Sequence, residues 1–71
     1  MRVTVKVKFN ATKERLEKFG LNKYLLYLSH KEDNESNMII ISFLSKNFGV
    51  PPKKINFWGF DVHKDRIFEV L

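Results

Sequence analysis

The side chains with any capacity for acid/base or metal chemistry gather late in the chain, where Asp61, His63 and Asp65 alternate between Gly59 and Arg66. If that stretch is extended, all three share one side, and His30 supplies a further imidazole elsewhere. The spacing is not specific. Structural zinc sites use four Cys or His ligands and catalytic ones usually three protein ligands, whereas this chain has no Cys and only two His. A charged hairpin loop is the better reading. Neither Ser29 nor Ser36 stands in a G-x-S-x-G elbow, and Gly20, Gly49 and Gly59 are isolated, so nothing resembles a phosphate-cradling loop. The sequence predicts a non-enzymatic protein without catalytic residues, metal or cofactor.

A second kind of chemistry is contact with a polyanion. The formal net charge is +5, and it is unevenly placed. Residues 1–31 carry eight basic and two acidic side chains, residues 32–71 five and six. Lys6 and Lys8 suit phosphate contact, and an exposed Trp58 or Phe60 would stack a base. Against this stand two ordinary facts: surplus lysine serves solubility, and strand aromatics in a small protein are core first. The rival class is a protein-interaction or self-association module using the same outer apolar face.

These residues need elements to hold them. Seventy-one residues make one domain, small enough that burial offsets chain entropy only narrowly. A hydrophobic content of 44%, with seven Phe, two Tyr and one Trp, argues for a folded globule. No apolar run approaches the roughly 20 residues of a membrane span, and MRVTVKVKF alternates where a signal peptide would be apolar. The expectation is a soluble, cytoplasmic monomer that meets no membrane, with nucleic acid as a candidate partner and any protein partner unknown.

The strongest local signal is Asp33 to Phe48. Asp33, Asn34 and Ser36 offer oxygens to the free N–H groups of a first turn, and Glu35 suits the positive end of the helix dipole. Ile39, Ile40, Ile41, Phe43, Leu44 and Phe48 sweep one broad arc, with Ser42, Ser45 and Lys46 opposite. Gly49 can end the helix in the left-handed region, and Pro51 and Pro52 cannot continue it. Asn37, at i−3 to Ile40 and i−4 to Ile41, points its amide towards the apolar side, where it needs a partner. Strand or loop backbone is the expected one; a small polar cleft is the alternative.

Elsewhere, Met1 to Phe9 alternates as a half-buried strand with Arg2, Thr4, Lys6 and Lys8 outward. Thr12 to Gly20 reads locally as a short helical turn over 13–19, with Leu16 and Phe19 inward. Tyr24 to Ser29 reads as a second strand, paired as a hairpin with the first. Lys54 to Phe60 and Arg66 to Leu71 make a second hairpin, in which alternation sets Trp58 and Phe60 on the face opposite Ile55 and Phe57. The sum is an α+β domain of two layers: a mixed sheet of about four strands in two hairpins, one face covered by the helix 34–48.

Five short segments carry a resemblance. Val7-Lys8-Phe9-Asn10-Ala11, Asp33-Asn34-Glu35-Ser36-Asn37, Phe48-Gly49-Val50-Pro51, Trp58-Gly59 and Lys64-Asp65-Arg66 are similar, in order and spacing, to landmarks of the YggU-like small α+β domains. Those landmarks are V-K-P-N-A, D-G-K-A-N, L-G-V-P, S-G and R-D-K, and the only spacing difference is one extra residue in the last loop. Phe9 stands for the proline, Asn34 for the glycine and Glu35 for the lysine, while Lys64 and Arg66 exchange the two basic positions. The resemblance implies the fold and directs attention to the start of the helix, between Asn10, Asn37 and Lys64 to Arg66. It implies no activity. The residues expected to matter for binding are thus Lys6, Lys8, Asn10, Asn37, Trp58, His63, Lys64 and Arg66.

Overall fold

The computed structural model describes residues 1–71. Five strands form one mixed sheet: β1 Arg2–Lys8, β2 Arg15–Gly20, β3 Lys23–Tyr27, β4 Ile55–Phe60 and β5 Arg66–Val70, in the order β2-β3-β1-β5-β4. A single α-helix, α1 Ser36–Phe48, lies on one face, and a 3-10 turn at Pro52–Lys54 leads into β4. The α+β, two-layer expectation holds, with five strands in place of four.

The additional strand is the segment expected to be helical. Arg15–Gly20 pairs antiparallel with β3, Leu16 opposite Leu26 and Lys18 opposite Tyr24. An isolated helix of two turns is a poor nucleus in water, whereas extension lets the backbone complete a ladder along the free edge of β3 and rests Leu16 on the core. This also changes the pairing of β1. It is not the hairpin partner of β3 but its parallel neighbour, with Val5 opposite Tyr24 and Val7 opposite Leu26. β2 and β3 form the first hairpin and β4 with β5 the second. Positive φ at Asn10 (59°) and Asn22 (55°) turns the chain out of β1 and into β3, a conformation asparagine tolerates better than most residues.

Alternation sorts the two faces. Val3, Val5, Tyr24, Leu26, Leu28, Phe68, Val70 and Ile55 meet Ile40 and Leu44 of α1 in one buried cluster. Only two helix side chains of the expected apolar arc are fully buried; Ile39, Ile41, Phe43 and Phe48 are half-buried against the same core. The helix begins two residues later than expected, and its first turn has no side-chain cap. Asp33 and Ser36 organise the preceding turn instead: Asp33 Oδ1 accepts the Glu35 N–H at 2.9 Å, and Ser36 Oγ accepts the Asp33 N–H at 2.8 Å. At the other end Gly49, with φ 69°, closes the helix as expected, its N–H donating to the Ser45 carbonyl.

Both edge strands carry a bulge. In β4 the register slips between Phe57, opposite Phe68, and Gly59, opposite Ile67. Trp58 is the extra residue, and Gly59 takes φ +140°, a region closed to most side chains. The slip reverses alternation, so Phe60 does not share a face with Trp58. It returns to the helix side opposite Arg66, with its ring centroid 5.4 Å from that of Phe57. In β2 the slip falls between Lys18 and Gly20, and Phe19, expected inward, is 56% exposed. An extra residue in one strand bends it and breaks its free edge, which discourages edge-to-edge pairing.

Candidate functional site

α1 covers one face of the sheet and no element covers the other. On that bare face the register stacks Arg2 beside Glu69, Thr4 between Lys23 and Ile67, Lys6 beside Leu25, and Lys8 beside Tyr27, with Arg15 and Glu17 on the outer strand. Five cations therefore share one surface with the strand carboxylates Glu69 and Glu17, and Asp61 and Asp65 reach its rim from the β4–β5 loop. Arg2 lies 3.5 Å from Glu69 and 3.7 Å above the Trp58 ring. Arg15 lies 4.5 Å from the Tyr27 ring centroid and 3.4 Å from Glu17; Tyr27 first and Glu17 second raise its pKa. Lys6 approaches Asp65 at 3.9 Å, and Lys8 and Lys23 have no acidic partner. Exposed ion pairs of this kind are weak and exchange readily for other anions.

The two bulge residues border this surface. Trp58 on β4 is 55% exposed, and Phe19 on β2 lines a shallow depression of about 510 Å³ with Thr4, Lys6, Lys23, Asp61, His63 and Asp65. His63 thus stands at the rim of the basic face. Its loop is not extended: Asp61 Oδ1 accepts the N–H groups of both His63 and Asp65 at 2.9 Å, and Lys64 takes a positive φ of 64°. The three expected cluster members are therefore a turn in which one carboxylate is engaged by backbone. No group of three or more His, Cys, Asp or Glu is placed to hold a metal ion.

A different arrangement occupies the helix side, at the open end beyond the first turn of α1. Arg66 opens β5 and is 7% exposed. Its Nε donates to Asn37 Oδ1 at 2.9 Å and its Nη2 to Glu32 Oε2 at 2.6 Å. The inward amide thus finds a side chain of β5 as partner where backbone was expected. The guanidinium lies 5.0 Å from the Phe60 ring centroid and 5.4 Å from that of Phe9. Val5, Val7, Phe9, Phe60, Glu32, Lys64, Asp65 and Arg66 line a cleft of about 480 Å³. No buried side-chain nitrogen or oxygen in the molecule is without a partner.

Among the residues singled out from sequence, Asn37, Lys64 and Arg66 come together here, while Lys6, Lys8, Trp58 and His63 belong to the other face. Asn10 joins neither; its N–H donates to the His30 carbonyl and its side chain is exposed. Sequence reasoning missed Arg15 and Phe19 on the bare face because it made β2 a helix, and Lys23 and Tyr27 because it paired β3 with β1 as a hairpin and did not assign its outward side chains to this surface. It missed Glu32 because a loop acid carries no periodic signal.

A third polar cluster is local. Glu14 Oε2 accepts the backbone N–H of Ser29 at 3.1 Å and its hydroxyl at 2.9 Å, with His30 Nδ1 at 3.1 Å. These bonds, the backbone one foremost, hold the Glu14 carboxyl below its ordinary pKa. It fastens the crossing from β1 to β2 onto the end of β3. Compared with protein-family models, with curated proteins and with solved structures, the chain finds no match.

Proposed function

We propose that the chain is a non-enzymatic domain that binds single-stranded nucleic acid, RNA foremost, on the uncovered face of its sheet. One observation supports this above the rest: Arg2, Lys6, Lys8, Arg15 and Lys23 share that face and two exposed aromatic bulge residues border it, Trp58 at one edge and Phe19 at the other. Phosphates seek the cations, and flat side chains accept any base by stacking. Five strands span about 19 Å from edge to edge at the usual strand spacing, room for a short single strand lying across them. Kinship with the YggU-like domains is part of the same reading and rests on the five matching segments; it adds the fold and not the ligand.

The test is affinity for a single-stranded RNA and a single-stranded DNA at two salt concentrations. Binding should weaken steeply with salt, and the double variant Lys6→Ala, Lys8→Ala should lower the logarithmic slope by about 1.4, at roughly 0.7 per lost phosphate contact on a single strand. Trp58→Ala should weaken binding with little change in slope. Absence of binding at low salt removes the proposal. Sedimentation showing concentration-dependent self-association would then transfer the bare face to the rival reading, an interface between copies.

A further inference from the structure

The Arg66 cleft lies on the opposite side of the sheet from the proposed nucleic-acid surface and stands independently of it. Its chemistry is lopsided. A buried guanidinium, 8% exposed in its side chain, is paired with a carboxylate whose own side chain is 58% exposed. Asn37 holds Nε from one side, and Phe9 and Phe60 flank the guanidinium at 5.4 and 5.0 Å. The fork is thereby fixed in place by the sheet and α1. Glu32, by contrast, comes from the irregular segment before the helix and holds Arg66 by one of its oxygens, Oε2 to Nη2. Arginine is suited to binding a carboxylate through two parallel bonds, so the single bond to Glu32 leaves part of that capacity unused.

The surroundings favour an anion with an apolar body. Val5, Val7, Phe9 and Phe60 supply the walls, and Lys64 adds a second cation at the rim. Asp65 lines the cleft too, but its carboxylate lies 3.9 Å from Lys6. Lys64 takes its left-handed φ of 64° without being glycine, a conformation that costs energy and recurs at ligand sites. About 480 Å³ falls within the usual range for small-molecule sites. Because the position is already occupied by a carboxylate of the protein's own loop, the ligand class is indicated by the resident group.

We propose that this cleft binds a small organic carboxylate with a flat apolar body, and that Glu32 is the side chain it displaces. The carboxylate takes the outer edge of Arg66 beside Lys64, and the body rests against the exposed ring of Phe60 and the wall formed by Phe9 and Val7. Glu32 sets the affinity by competing for the same bonds.

The experiment is a titration of the isotopically labelled 71-residue chain with phenylacetate, followed by NMR at the Arg66 Nε–H and the Asn37 side-chain amide. Inorganic phosphate and neutral phenylacetamide serve as parallel probes. Phenylacetate should shift both signals, and Glu32→Gln, which keeps the shape and removes the charge, should tighten binding about tenfold, that is by about 1.4 kcal/mol. Glu32→Ala should act in the same direction; if it does not fold, Glu32→Gln decides. Arg66→Lys should lose the response. The proposal is overturned if phenylacetate leaves both signals unmoved in the wild type and in Glu32→Gln. It is equally overturned if phenylacetamide binds as well as the acid, or if phosphate binds better.

Discussion

The two faces of this one sheet are built from the same five strands and use positive charge in opposite ways. On the bare face five cations stand in solvent, each individually weak, and any effect comes from their number. On the helix side a single arginine is buried, and its effect comes from position, since an amide, a carboxylate and two aromatic rings fix where its donors point. Exposed charge is screened within about 8–10 Å at physiological salt, whereas a buried charge must be matched group by group. The bare face is therefore suited to a long anion read without detail, the cleft to a small one held in a defined pose.

Substitutions can separate the two faces by size of effect. The largest belongs to the core beneath the helix: Phe68→Ala, at a side chain with no exposure, should destabilise the domain by about 3–5 kcal/mol in chemical denaturation. Trp58→Ala on the other face should change stability by no more than about 1 kcal/mol. Equal losses would mean that the outer aromatics carry the fold and that the two faces do not differ as described.

Next in size is Gly59→Ala. With φ at +140° but open space around a would-be Cβ, the cost is conformational, about 1–3 kcal/mol. Because the bulge is what returns Phe60 to the cleft, the chemical shifts of Phe60 and Arg66 should move with it. Unchanged stability would show that the slip in β4 is not enforced at this residue.

Asn37→Ala should cost about 1–2 kcal/mol, the loss of a partly buried bond to a charged donor, measured by thermal or urea unfolding. Asn37→Asp keeps the acceptor and should recover most of it. If both variants match the wild type, Arg66 is not held by the first turn of α1.

The smallest effect is a pH dependence. The Glu14 carboxyl is depressed in the folded state, so its contribution is present above the unfolded carboxylate pKa and lost as pH falls through the folded value. Carboxyl NMR should place its titration below the ordinary glutamate range, and Ser29→Ala should raise it by removing the hydroxyl donor. The backbone donor remains, so the shift should shrink without vanishing.

How far the sequence reaches can be judged element by element. β1, β4 and β5 were legible because strict alternation of Val3, Val5 and Val7, or an aromatic run closed by glycine, has one structural meaning. The helix was legible for its length and its stop at Gly49. Its start was blurred because Asp33 and Ser36 cap equally well a helix or the turn before it. The site was half legible: Asn37 announced itself as a polar residue in an apolar stripe, and Lys64 and Arg66 stood out through the resemblance at Lys64-Asp65-Arg66, but nothing linear joined them to Glu32.

What the sequence determined alone was the class of the domain, its main helix, its second hairpin and its basic first half, because each depends on local periodicity or simple count. The tertiary structure decided that Arg15 to Gly20, within the segment that reads locally as helical, would extend, since a free edge of β3 offered hydrogen bonds that a two-turn helix could not match. It made β1 and β3 parallel by passing the chain beyond β3 before returning. And it settled which aromatics look outward, because a bulge of one residue inverts every side chain after it. That inversion put Phe60 beside Arg66 and left Trp58 with Arg2, dividing between two faces residues that spacing alone had set together.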